Sequence, residues 1–182
     1  MYAAVDFGLV LYLIWRNRES WPVFGLVRPR WLVDSLVGLG IWATVLMMHG
    51  AFWRLLHGLF GPDFIKAGWR DSVWDPPAPE GGLVVLIFVL SVCANAASQE
   101  LVMRAYLVPR FERLLRSGVR SILVTAALFG SFHIYQGLNG AVSAFISGLV
   151  YGTAFSWSRR LWPLVIAHSV GNLFVYWTIF AG

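Results

Sequence analysis

Residues 83–104 read LVVLIFVLSVCANAASQELVMR, and the reading of this stretch decides the fold. As far as Ser98 it carries no charge; Gln99, Glu100 and Arg104 then follow within a few residues. An uncharged run close to the roughly 20 apolar residues that cross a hydrocarbon core reads as a membrane helix. Ionisable groups inside such a helix are expensive and mark function by default. The rest of the chain agrees. Its 182 residues are 58% hydrophobic, 16% aromatic and only 13% charged, with a mean hydropathy of +0.68, outside the range of soluble domains. The expected fold is all-α, a polytopic transmembrane helical bundle of about six spans, with residues 1–182 forming a single integral membrane domain.

Working outward, apolar runs cover 3–15, 32–60, 83–104, 121–135, 141–157 and 161–180. The N-terminal MYAAVDFGLVLYLIW has neither a basic n-region nor a small-residue cleavage site, so it reads as a retained first span. Residues 61–82 carry Asp63, Asp71, Asp75, Glu80, Pro76, Pro77 and Pro79 and read as a loop. The third run continues as an amphipathic stretch through Arg110, Glu112, Arg113 and Arg116. Arg-rich segments follow the first, third and fifth runs, and the segments after the second and fourth lack them. By the positive-inside rule both termini are expected to face outward. Trp21, Trp31, Trp69, Trp74, Trp157 and Trp162 fall near run boundaries, as an interfacial aromatic belt should. The net charge of +5 therefore belongs to membrane orientation, with the lipid bilayer and not nucleic acid as the partner. The single cysteine, Cys93, excludes an internal disulfide and a Cys-based zinc site and reads as a packing residue. Ala144, Gly148 and Gly152 form a small-residue stripe suited to close helix packing.

Few polar residues lie within the runs. Glu100 and Arg104 share a helix face, as do His168 and Asn172, because residues four apart are neighbours. His133 ends the fourth run. Glu100 with Arg104 reads equally as a neutralising ion pair, and His168 with Asn172 as interhelical hydrogen bonding. Taken together, an acid, two imidazoles and an amide on three helices suit hydrolysis, which needs a proton acceptor for water and donors for an oxyanion. No HExxH, no GxSxG with partnered His and Asp, and no paired Asp-containing spans are present. Glu100, His133 and His168 are also a conceivable ligand set for a catalytic zinc, so a metal stays open.

The order Gln99-Glu100-x-x-x-Arg104, Phe129-x-x-x-His133, His168-x-x-x-Asn172 resembles the CPBP family, the CAAX-protease and bacteriocin-processing group also called ABI proteins. That family's motifs are EExxxR, FxxxH and HxxxN or HxxxB. The resemblance extends from about 83 to 182, which it marks as the catalytic core. It implies an intramembrane endopeptidase of a bacterial inner membrane, acting on a membrane-associated peptide or protein near the membrane surface. Carried over, Gln99 and His133 occupy the water-activating positions, Glu100 and Arg104 the paired positions, and His168 and Asn172 the oxyanion hole.

The departure is Gln99, where the family has a carboxylate. A carboxamide orients water but does not take its proton. On a regular helix Arg104 lies about 40° from Glu100 and about 140° from Gln99, so Glu100 is the partner of Arg104. Three readings stand: Glu100 with His133 activates water, His133 does so alone, or the chain is a catalytically impaired relative that binds peptide or serves in immunity or as a scaffold.

Overall fold

The computed structural model describes residues 2–61 and 78–181. Most of the loop read at 61–82, with its Asp residues and Trp69 and Trp74, lies outside them. Among these residues seven α-helices run in order: α1 (Tyr2–Arg16), α2 (Trp31–Phe60), α3 (Gly82–Glu100), α4 (Val108–Leu115), α5 (Gly118–Phe132), α6 (Gly137–Ser158) and α7 (Trp162–Ala181). A π-helical segment, Leu101–Leu107, joins α3 to α4 without a break, and 3₁₀ turns occupy Trp21–Phe24 and Ile134–Gln136.

The membrane-bundle class holds, and the span number is corrected. Among the described residues four helical stretches are long and apolar enough to cross a membrane: Trp31–Phe60, Gly82–Leu115, Ile134–Ser158 and Trp162–Ala181. The first and fourth runs fold as α1 and α5, each 15 residues long. At 1.5 Å per residue each reaches about 22 Å, short of the roughly 30 Å hydrocarbon core. The outer surface of the long helices is apolar, with Leu32, Leu59, Leu83 and Trp177 well exposed, as a lipid-facing surface requires.

Pro109 explains the π segment. It has no N–H for the carbonyl of Ala105, and its ring would clash with that carbonyl in a regular helix. The turn just before it widens to i→i+5 bonding. Arg104 sits in that widened turn.

α7 packs against α2 and α3, α5 lies along α6, and α1 leans on α3 and the π segment. The small-residue stripe serves the α5–α6 contact. A Cβ on Gly148 would stand 2.9 Å from Ala126 Cα, and one on Gly152 3.0 Å from Ile122 Cγ2. On the α5 side, a Cβ on Gly130 would stand 2.8 Å from the Ala141 carbonyl oxygen. The core joins Val10, Ile14, Phe24, Leu101, Tyr151, Phe155 and Leu164. Met103, Phe129 and Ala144 form a second cluster beside the polar residues.

All three Arg-rich segments meet at one end of the bundle. Arg110 Nη1 donates to Glu19 Oε1 at 2.6 Å, and its Nη2 bonds Glu19 Oε2. Arg159 Nη2 reaches both oxygens of Glu112 at 2.7 and 2.8 Å. Arg160 holds Asp34 with two bonds of 2.8 Å. Trp31 and Trp162 pack there with ring centroids 5.9 Å apart. Gly25 closes the turn after Phe24 at φ 69°, where a Cβ would meet the Phe155 ring at 2.8 Å.

Candidate active site

Glu100 ends α3, Arg104 lies one turn on in the π segment, and His168 comes from the first half of α7. All three are buried, at 0%, 1% and 6% exposure. Glu100 Oε1 accepts from Arg104 Nη1 at 3.1 Å and from His168 Nδ1 at 2.7 Å. Both polar pairs read from the sequence thus have their acid and imidazole in one cluster. Glu100 Oε2 and Arg104 Nη2 are buried with no hydrogen-bond partner among the described residues. Charges taken out of water are tolerated only when paired and hydrogen-bonded, so each uncommitted atom stands against stability.

The hydrogen bonds set the chemistry of the imidazoles. An ionised carboxylate only accepts, so His168 Nδ1 carries a proton; its Nε2 becomes a donor only when the ring is charged. His133 Nδ1 lies 2.8 Å from the Phe129 carbonyl. A carbonyl only accepts, so Nδ1 is again the donor, and the neutral ring presents an unprotonated, basic Nε2.

Phe129 links these groups. Its ring lies 4.6 Å from that of His133 and 5.8 Å from that of His168, and Arg104 Cζ stands 4.2 Å from its centre. Counting helical rise along the runs sets His133 farther out than Glu100 and His168; in the fold the Phe129 ring bridges the gap. Glu100 bonds Arg104 and His168, and His133 bonds only its own helix.

Gln99 stands apart. Its Nε2 donates to Asn95 Oδ1 at 2.8 Å, and its Oε1 is buried without a partner. Asn172, half-buried one turn beyond His168, makes no hydrogen bond to a described residue. Its amide is free to donate. Among the described residues no group of three His, Cys, Asp or Glu side chains could hold a metal ion. Glu100, His133 and His168 do not form such a group there.

Two polar residues escape sequence reasoning. His49, half-buried on α2, donates from Nε2 to the Ser143 carbonyl at 2.9 Å, with Ser147 Oγ 3.3 Å away. Its position inside an apolar run was the available signal. Tyr151 lies with its ring 5.5 Å from that of His168 and 5.2 Å from Arg104 Cζ. In the sequence it is one aromatic among many, and only the helix packing distinguishes it.

Fold and site together define a polytopic helical membrane protein with a buried carboxylate–arginine–histidine cluster. The family profile described as Type II CAAX prenyl endopeptidase Rce1-like matches residues 81–174, half of the chain and every residue of that cluster. The chain belongs to this CAAX-protease family. No curated protein and no solved structure matches it.

Proposed function

We propose that this chain is an intramembrane endopeptidase that hydrolyses a peptide bond close to the membrane surface. The observation that carries this reading is the Glu100 carboxylate. One oxygen is shared by Arg104 and His168, the other is uncommitted, and the basic face of His133 is one aromatic ring away. His133 Nε2 takes a proton from water as the hydroxide attacks the carbonyl carbon, and the free oxygen of Glu100 is a second acceptor that orients or shares that proton. Negative charge on the carbonyl oxygen is met by the Asn172 amide and, when the His168 ring carries both protons, by its Nε2–H. His133 then returns its proton to the departing amine. Arg104 pairs with Glu100 and holds its carboxylate in place.

The family name suggests a substrate with a prenylated C-terminal peptide. The clasped Arg-rich end would face the cytoplasm of a bacterial inner membrane, with both termini outward. In proteoliposomes, a fluorogenic peptide carrying a prenyl-cysteine should be cut. His133→Ala should lower kcat about 10²–10⁴-fold, and His168→Ala about 10²–10³-fold, with helical content unchanged. Full activity in His133→Ala sinks the assignment.

A second reading, a catalytically impaired member that binds peptide, as in immunity or as a scaffold, is favoured by Gln99, whose carboxamide is turned to Asn95. It predicts peptide binding that survives replacement of both His133 and His168, and turnover that appears only in Gln99→Glu.

A further inference from the structure

Two hydrogen-bond donors near the His168–Asn172 turn have no hydrogen-bond partner among the described residues. Trp42 on α2 holds its indole Nε1 buried without an acceptor. Tyr151 on α6, 3% exposed, has a hydroxyl that bonds no described residue. They converge on α7 at Gly171: a Cβ there would lie 3.8 Å from Trp42 Nε1 and 3.8 Å from the Tyr151 hydroxyl. Gly171 immediately precedes Asn172 and follows His168 by three residues. Tyr151 therefore touches the cluster with its ring and reaches the His168–Asn172 turn with its hydroxyl.

Leaving the Trp42 indole unpaired works against folding, since a buried polar group without a partner keeps its desolvation penalty. Trp42 is otherwise well placed, its ring 5.7 Å from that of Phe174 on α7, so packing alone would be met by an aromatic ring without the N–H. An indole N–H only donates. The complement of these groups is an oxygen acceptor.

We propose that Trp42 and Tyr151 form a subsite that binds an acceptor oxygen of the substrate peptide, a main-chain carbonyl or the C-terminal carboxylate, against the glycine step at Gly171. The proposal rests on the reading of the cluster as a peptide-hydrolysing site, and names two further residues that hold the substrate there. With no side chain at 171, both donors approach the α7 backbone closely there.

The test uses the full chain in lipid nanodiscs and a fluorescent prenyl-cysteine peptide, made once with a free C-terminal carboxylate and once as the amide. Binding is measured in a His133→Ala background and turnover in the parent. Tyr151→Phe and Trp42→Phe should each raise Kd about tenfold, the equivalent of roughly one hydrogen bond, while Tm stays level or rises. Gly171→Ala places a methyl 3.4 Å from Trp42 Cδ1, an ordinary contact, so it should fold and bind as weakly. A loss confined to the free-acid peptide identifies the carboxylate; an equal loss in both identifies a main-chain carbonyl. Parent-like Kd in Tyr151→Phe and Gly171→Ala overturns the subsite, as does a lower Tm in Tyr151→Phe, which would mark a structural hydroxyl. Weakened binding without turnover in the parent would sink the hydrolytic reading alone. If the parent binds neither peptide, both fall.

Discussion

Glu100 is the residue on which stability and chemistry meet. It compensates Arg104, buried at 1% exposure, and it orients His168. Glu100→Gln should therefore cost about 3–5 kcal/mol in unfolding experiments, because it strands a buried guanidinium. Replacing Arg104 by Gln as well should recover part of that loss, while activity stays absent in both. Equal stability of Glu100→Gln and the parent would show that Arg104 finds its compensation elsewhere, for instance in the rings of Phe129 and Tyr151. The polar residues of the cluster were legible in the sequence because each interrupts an apolar run. Their pairing was only half legible. Glu100 with Arg104 follows from helical spacing, but the bond from His168 joins residues 68 positions apart, and no local pattern encodes it.

Among the elements, α5 and α6 pack together and supply Phe129 and Tyr151, whose rings both lie against Arg104 and His168. Gly148 permits it. Gly148→Ala would drive a methyl into the backbone at Ala126, and should cost about 1–3 kcal/mol and lower activity by shifting α5. Gly40, inside α2 with nothing within 4 Å of a Cβ, is the control: Gly40→Ala should leave activity alone and stabilise by up to about 1 kcal/mol through helix propensity. Thermal unfolding of the two variants checks both statements. The glycine spacing in α6 announced a close helix approach, whereas its partner did not follow from it. The π segment was likewise out of reach: Pro109 signals trouble for a helix, but whether the chain kinks, stops or widens depends on what packs around it. The span number failed for a related reason. Hydropathy finds apolar runs, and it does not say whether a 15-residue helix crosses the bilayer or packs within the bundle.

For the whole molecule, the three ion pairs at one end close the bundle across distant segments. Arg110 holds the Glu19 carboxyl below the usual carboxylate range through its hydrogen bonds. A depressed folded pKa contributes stability that is complete above the unfolded value, about 4.3, fades as pH falls below it, and is gone beneath the folded value. Glu19→Gln should therefore flatten the acid limb of the stability profile below about pH 4, read by thermal unfolding against pH. The same clasp predicts that cysteines placed at Arg28 and Arg116, in a Cys93→Ser background, label from one membrane face, and one placed at Tyr135 from the other. The sequence by itself determined the solvent, the helical class, the family motifs and the identity of the polar residues, since apolar runs, charge placement and spacing are one-dimensional properties. Tertiary structure alone decided that four stretches are long enough to span, that Glu100 serves Arg104 and His168 together, that Gln99 turns to Asn95, and that Trp42 and Tyr151 meet at Gly171. The first is a matter of where helices begin and end, and the other three are contacts between groups on different turns or helices, whose geometry exists only once the helices have packed.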